Sequence, residues 1–304
     1  MSEYILENRE LRIRIKDTGA ELTSISDSLT KTEYLWNGNP DFWKRNSPIL
    51  FPVVGSLKNK SYIHNSQCYP MPQHGFARDM QFDVIEKRAD EIWFLLEADD
   101  ETKKLYPFHF ALEIGYRLNG RQITVMWKVT NLDTDTMYFS IGGHPAFLCP
   151  LNDREVQSEC FIIFDTVNPL RYLTIDEQGL AVKKPAKAAD ILDTEQGCLP
   201  VTPHLFDRDA LIFENSQSHA VSLAGKDRKA YVTVSFNSPL FGLWSPAGKN
   251  APFICIEPWY GRCDSRDFNG TLAEREWGNK LETGKTFCAS YTIDIASDVQ
   301  QLRK

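Results

Sequence analysis

The 304-residue chain has no Gly-x-Gly-x-x-Gly and no Walker loop. Their absence removes the two most familiar backbone cradles for dinucleotides and nucleoside triphosphates. It has no Gly-x-Ser-x-Gly, so a nucleophile elbow is not expected. Histidine is scarce, with 6 residues, and no His-x-x-x-His or His-Glu-x-x-His occurs; a helical zinc clamp is not expected. His109 and Glu113 stand four apart but fall on an alternating stretch read as strand, where that spacing makes no clamp. The 7 cysteines are odd in number and form no Cys-x-x-Cys, which argues against a disulfide framework or zinc ribbon and for a reduced compartment. No run approaches the roughly 18 apolar residues of a membrane span. Met1-Ser2-Glu3-Tyr4 lacks the basic and apolar regions of a secretory signal, so the expectation is a cytoplasmic protein with no membrane partner. The net charge of −7 comes with no basic cluster longer than Lys103-Lys104 or Lys183-Lys184. A nucleic-acid partner is therefore not expected.

What the chain does have is period-two alternation. Leu11-Arg12-Ile13-Arg14-Ile15 alternates apolar and basic, as a strand with one wet face does. Ile92–Leu96 is a short apolar run suited to a strand covered on both faces. Phe110, Leu112, Ile114, Tyr116 and Leu118 share one face, and Ile123, Val125, Trp127 and Val129 share another, with Asn119-Gly120 between them. Asn-Gly between alternating runs predicts a hairpin whose turn positions take positive φ. Further strands are expected at Phe82–Lys87, Tyr138–Ile141, Cys160–Phe164, Ala220–Leu223, Tyr231–Phe236, Phe253–Glu257 and Phe287–Ile295. One two-turn helix, Asp99–Tyr106, has an Asp cap and Pro107 after its end. Many short strands with few helices indicate an all-β, antiparallel sandwich. With no Gly/Ser linker and no repeat, residues 1–296 read as a single domain, with Thr174–Pro203 as a long surface excursion and 297–304 as a polar tail.

Three segments concentrate chemistry. Pro72-Gln73-His74-Gly75-Phe76-Ala77-Arg78 sets a histidine, an aromatic ring and an arginine around a glycine. Gly142-Gly143-His144-Pro145-Ala146-Phe147 places a histidine between paired glycines and a proline, which restricts the backbone yet leaves room for a ligand. Ile256-Glu257-Pro258-Trp259-Tyr260-Gly261 ends an apolar strand on a carboxylate beside two aromatics. Read singly, each has a plain structural explanation: a turn histidine, a carboxylate paired with an arginine, a core tryptophan. Read together, two imidazoles and a carboxylate are the parts for proton transfer near neutrality, and aromatic rings suit the C–H face of a sugar.

In this order and at these separations the segments resemble the aldose 1-epimerase (galactose mutarotase-like) family, with a likeness closest to its bacterial LacX-like branch. Trp43-Lys44-Arg45-Asn46-Ser47-Pro48-Ile49-Leu50-Phe51-Pro52-Val53-Val54-Gly55 and Leu205-Phe206-Asp207-Arg208-Asp209-Ala210-Leu211-Ile212-Phe213 resemble further family motifs. The likeness runs from about Leu6 to Ile295. It implies a large β-supersandwich, no metal and no cofactor, and interconversion of the α and β anomers of a free aldose. By match of motif, Glu257 is the general base toward the anomeric hydroxyl, His144 the general acid toward the ring oxygen, and His74 the residue that orients that oxygen. Arg78, Asp209, Phe76 and Trp259 are implied as substrate contacts. Asn59-Lys60 stands where many members carry Asn-Arg; lysine keeps the charge but loses the planar bidentate fork.

The alternatives are a hexose-6-phosphate epimerase, favoured by the shared His-Gly-Phe-Ala-Arg stretch; a glycoside hydrolase using Glu257 with Asp209; and a non-catalytic carbohydrate-binding protein. The implied partner is a small sugar bound by a monomer or homodimer. These acid–base roles predict a bell-shaped pH–rate profile bounded by the Glu257 and His144 ionisations in the empty enzyme. A flat profile across about pH 5 to 8 speaks against both the His144 and the Glu257 assignments.

Overall fold

The computed structural model describes residues 2–152, 155–183 and 197–297 in full, together with the backbone of 184–187. Two antiparallel sheets dominate. The larger has nine strands, in spatial order Cys198–Pro200, Phe161–Phe164, Ala220–Ala224, Ala230–Phe236, Thr286–Ile295, Gln122–Asn131, Phe110–Asn119, Glu91–Glu97 and Asp83–Lys87. The second has eight strands. It runs Ala181–Lys187, Arg171–Ile175, Leu211–Phe213, Leu240–Trp244, Phe253–Tyr260, Ile141–Gly143 and Ile49–Leu50, with Ala146–Leu148 also paired to Phe253–Tyr260. A three-stranded sheet, Glu3–Glu7, Leu11–Lys16 and Glu21–Asp27, adds to the core through Leu11, Ile13 and Ile15.

The two large sheets lie face to face, as their ring contacts show. Phe213 stacks on Phe241 at 4.5 Å, and both meet Phe164 of the nine-stranded sheet at 5.8 and 6.3 Å. Trp127 meets Tyr260 edge-on at 6.4 Å. Alternation then sorts each strand of the eight-stranded sheet. In Phe253–Tyr260, Ile254 and Ile256 enter the shared core, while Cys255, Glu257 and Trp259 project from the opposite face. In Leu240–Trp244, Phe241 and Leu243 go to the core and Leu240, Gly242 and Trp244 to the other side.

The all-β sandwich expected from the alternation is what the chain forms, with three departures. The 110–131 hairpin exists, but Asn119 pairs with Gln122, so its turn is Gly120-Arg121 and only Gly120 takes positive φ, at 55°. The glycine thus serves as first turn residue, and Asn119 remains in the ladder. The stretch expected as one strand at Tyr138–Ile141 divides at Ser140. Met137–Phe139 pairs with Asn279–Leu281, and Ile141–Gly143 joins the eight-stranded sheet. The Thr174–Pro203 excursion is in part sheet. Ile175 pairs with Ala181, and Leu180 and Ala181 are buried, because two apolar residues beyond the Gly179 turn fold back on the sheet edge. The remainder of that excursion, 188–196, and all of the tail beyond Ser297 lie outside the described residues. The expected helix forms as Asp100–Leu105, with Asp99 accepting from the Glu101 and Thr102 amides at 3.0 and 2.7 Å. No helix among the described residues is long and apolar enough to cross a membrane.

One buried carboxylate ties the small sheet to the segment that leads into the site. Glu21 is fully buried, accepts the Asn46 and Ser47 amides at 2.8 and 2.9 Å, and is paired with Lys16. Removing such a carboxylate leaves two amides and an ammonium without their acceptor. Glu21→Ala is expected to lower unfolding free energy by about 3–5 kcal/mol in chemical denaturation; a loss within 1 kcal/mol would show that the 43–48 segment is held by other means.

Candidate active site

The strand register brings the chemistry together. Gly142 pairs with Trp259, and Ala146 pairs with Cys255. The same register places His144 directly across from Glu257, where side chains on one face are neighbours. His144 Nε2 lies 3.3 Å from Glu257 Oε2. The backbone is pinned on both sides: the His144 amide donates to the Pro48 carbonyl at 3.1 Å and the Ile256 amide to the Pro145 carbonyl at 3.2 Å. Both side chains are cut off from water, with Glu257 only 1% exposed and His144 6%.

His74 arrives from a loop. Its amide donates to the Gly55 carbonyl at 2.9 Å, and its Nδ1 accepts from the Gly55 amide at 3.1 Å. With Nδ1 an acceptor, the proton of a neutral His74 sits on Nε2. The loop approaches closely because Gly75, at φ 71°, lies against the Phe51 carbonyl, where a Cβ would collide with it and with the Pro52 nitrogen. The His74 and His144 rings meet edge to face at 5.5 Å. Trp43 stacks on His144 at 4.7 Å and Trp244 meets its edge at 5.5 Å.

These groups wall a cavity of about 240 Å³ together with Gln73, Arg78, Asp209 and Trp259. That lies below the roughly 300–1,000 Å³ of drug-sized pockets and suits a single pyranose. A wider, open cavity of about 1340 Å³ adjoins it and shares Gln73, Ile175, Gly179 and Asp209. Its wall carries no facing acid and imidazole, and it forms the approach to the inner pocket.

Electrostatics separate the titrating groups. Burial, reinforced by the charge of Asp209, raises Glu257 well above the ordinary carboxylate value. Burial and then the Arg78 charge lower His144 to about 3. Burial, with His144 and Arg78 nearby, also keeps His74 neutral. Burial and the neighbouring Arg45 lower Arg78 to about 10. Arg78 donates to the Gln73 carbonyl at 2.7 Å and stands 3.8 Å from Asp79, whose firmer partner is Arg45 at 2.8 Å. Arg78 Nε, His144 Nδ1 and Glu257 Oε2 are buried without a hydrogen-bond partner and all belong to residues lining the pocket. Unsatisfied polar groups of this kind are costly unless a ligand meets them.

Of the residues singled out in the sequence, His74, His144, Glu257, Arg78, Asp209 and Trp259 line this one pocket. Lys60 lines only the outer cavity, and Asn59 lines neither; both sit exposed in a left-handed turn at φ 54° and 59°. Phe76 turns into the core against Phe51, Tyr106 and Phe110, 6.5, 6.5 and 6.2 Å away. The ring that follows His74 in sequence is therefore packing beneath the loop, since the tight turn at Gly75 reverses its direction. Trp43 and Trp244 were not foreseen as site residues. Each had a signal: Trp244 is a large aromatic out of phase with the core-facing Phe241 and Leu243, and Trp43 opens the stretch to Gly55 that resembles a family motif.

A family model described as aldose 1-epimerase matches residues 2–292. The chromosomal protein LacX of Lactococcus lactis subsp. lactis is 32% identical over 95% of this chain and 98% of its own. Among solved structures, a galactose mutarotase related enzyme from Lactobacillus acidophilus superposes with TM-score 0.91 at 32% identity, over 97% of this chain and 98% of that one. A galactose mutarotase-like protein from Lactobacillus casei ATCC 334 gives TM-score 0.90 at 31% identity, over 97% and 100%.

Trp259 is held between two glycines. A Cβ on Gly142 would lie 2.5 Å from its Cδ1, and one on Gly242 would overlap the far side of the indole. Gly242→Ala is expected to tilt the ring into the pocket and raise KM for a sugar ligand about tenfold or more, with a smaller change in kcat, since misplacement on the ångström scale is costly. Equal KM in variant and wild type would remove Trp259 from the sugar contacts.

Proposed function

The chain belongs to the aldose 1-epimerase family, and from that premise we propose that it interconverts the α and β anomers of a free aldohexose by acid–base ring opening and closure. The observation that carries the reading is the dry carboxyl–imidazole pair, Glu257 and His144 at 3.3 Å, on the wall of a pyranose-sized pocket. The chemistry needs little else. The Glu257 carboxylate takes the proton of the C1 hydroxyl as protonated His144 gives one to the ring oxygen. The C1–O5 bond breaks and C1=O1 forms. Rotation about C1–C2 presents the other carbonyl face, and the reverse transfers close the ring. In this reading the Nε2–H of His74 steadies the ring oxygen, and Trp259, Trp43 and Trp244, which line the pocket, offer apolar faces to the sugar's C–H groups.

The displaced ionisations say where the proton rests. In the empty site burial favours the proton on Glu257 and a neutral His144. That is the protonation state of the open-chain half of the cycle. A cyclic sugar requires the reverse state, one transfer away across 3.3 Å; hydroxyls bonding to the carboxylate favour it. The pair carries one proton throughout. It takes a second only as pH falls toward His144's value of about 3. It loses its last only as pH rises past the elevated Glu257 ionisation. These displaced ionisations overturn the expectation from sequence: a plateau through neutrality replaces the bell, and a flat profile there no longer counts against His144 and Glu257. The kcat/KM of mutarotation is expected to be flat across about pH 5 to 7; an acid limb near 6.5, the ordinary histidine value, would mean that His144 is hydrated.

The direct test is polarimetry or NMR of freshly dissolved α-glucose and α-galactose. Glu257→Gln and His144→Ala are each expected to slow equilibration about 10²–10⁴-fold. Stability should move the other way for Glu257→Gln. A carboxyl whose ionisation is raised in the folded state opposes folding once pH exceeds its ordinary value of 4.5. The amide removes that opposition, so Tm at pH 8 is expected to equal or exceed wild type. An active Glu257→Gln enzyme would overturn the base assignment. Arg78, the cation inside the pocket, gives the 6-phosphate reading its one foothold. Faster turnover of glucose 6-phosphate than of glucose, abolished in Arg78→Ala, would establish that reading instead.

A further inference from the structure

The face that carries Glu257 carries a second potential ligand that proton transfer leaves unused. Cys255 precedes Glu257 by two residues on the same strand and so shares its face, diagonal to His144 across the register. One ligating atom from each of His144, Cys255 and Glu257 lies within 4.8 Å of the others, and all three residues are buried. We propose that these three side chains form a binding site for a thiophilic divalent cation of the zinc class, and that the bound cation shuts off the catalytic pair. The regulatory half of this inference rests on the anomer-exchange reading; the site itself does not.

Three physical arguments carry it. The donor set is one imidazole, one thiolate and one carboxylate, types that together select a borderline-soft dication. The geometry is close to made. For Zn–N and Zn–O bonds of about 2.0–2.2 Å at a tetrahedral angle, N and O stand roughly 3.4 Å apart, and His144 Nε2 and Glu257 Oε2 are at 3.3 Å. The Cys255 sulfur lies within 4.8 Å of its two fellow ligands, against roughly 3.5 Å in a closed tetrahedral site. The charges also balance: a dication with one thiolate, one carboxylate and a neutral imidazole is a neutral assembly, which a water-poor interior tolerates far better than an isolated charge.

One of these ligating atoms, Glu257 Oε2, is buried without a hydrogen-bond partner. The ion reaches the site through the inner pocket, which His144 and Glu257 line. Binding displaces the Cys255 thiol proton and the carboxyl proton to solvent. It also occupies both groups that exchange protons with the sugar, so metal and turnover exclude each other.

The test uses the whole chain, stripped with a chelator and titrated with Co²⁺ as spectroscopic probe and Zn²⁺ as ligand. A background lacking the two exposed thiols, Cys68→Ser with Cys288→Ser, keeps surface sulfur out of the signal. One Co²⁺ per chain with thiolate-to-metal charge transfer is expected, lost in Cys255→Ser along with a tenfold or greater fall in Zn²⁺ affinity. Because a buried substitution can unfold the chain, X-ray absorption at the zinc edge of the otherwise unaltered protein gives a second reading. One sulfur at about 2.3 Å with nitrogen or oxygen at about 2.0–2.2 Å supports the site. A shell without sulfur, or charge transfer unchanged in Cys255→Ser, overturns it. Zn²⁺ is further expected to inhibit mutarotation competitively with sugar. A chain that binds cobalt through Cys255 yet never equilibrates anomers would retain the metal site and refute the proposed function. Mutarotation indifferent to bound Zn²⁺ would refute the regulation.

Discussion

The structure depends on one cross-strand pair, His144 opposite Glu257. Neither residue has an ordinary environment. Both are nearly dry, they stand 3.3 Å apart, and the nearest fixed charges, Arg78 and Asp209, each disfavour the ionised form of one of them. A fully separated ion pair in such a place carries a desolvation penalty that can exceed the attraction. Burial and these charges favour a single proton on the carboxyl beside a neutral imidazole, which avoids that penalty. A group held neutral by burial but able to pass its proton to a neighbour 3.3 Å away is well suited to the proposed movement of protons on and off a sugar without a nucleophile.

The surrounding architecture keeps that pair exact in position and poor in water. The register between Phe253–Tyr260 and the two short strands flanking His144 sets the separation. Trp43 and Trp244 close two sides of the imidazole. The glycines at 142 and 242 leave room for the Trp259 indole where any larger residue would push it into the pocket. Glu21, across the small sheet, holds the amides of Asn46 and Ser47 and with them the segment that presents Trp43. Stability is thus given up at Glu257 and recovered in the packing around it. This is the usual relation between a strained site and a firm scaffold.

Much of this was legible in the residues. Alternation located most of the long strands, because a one-residue slip would turn a whole apolar face to water. The three chemical segments converge as their ordered likeness to a family implied. What stayed hidden had a common cause: it depends on contacts between residues distant in sequence. Nothing local says that Gly142 pairs with Trp259 or that Gly242 pairs with Glu257. Without those registers the opposition of His144 to Glu257 cannot be read, nor the sandwiching of the indole. Phe76 misleads for the same reason, since its neighbour His74 faces the pocket while a turn sends the ring to the core. The Thr174–Pro203 stretch looked like a polar excursion because its apolar content is only a few residues, yet Leu180 and Ala181 are enough to seat it on a sheet edge.

The same pair explains why one surface can bear two chemistries. A β-strand presents every second residue to a common face, so placing a carboxyl at 257 gives 255 and 259 the same outlook. Trp259 makes use of that by lining the pocket. Cys255, one step the other way, is small and apolar enough to pack with Trp36, Ala146 and Phe253, and as a thiol it costs the core nothing. Deprotonated against a dication, it becomes the third corner of a site whose other two corners are already in place. Proton exchange needs His144 and Glu257 free; metal binding needs them ligated. A choice between a neutral proton-sharing pair and a neutral metal complex follows from putting three ionisable side chains on one dry face, whatever sugar enters from the other side.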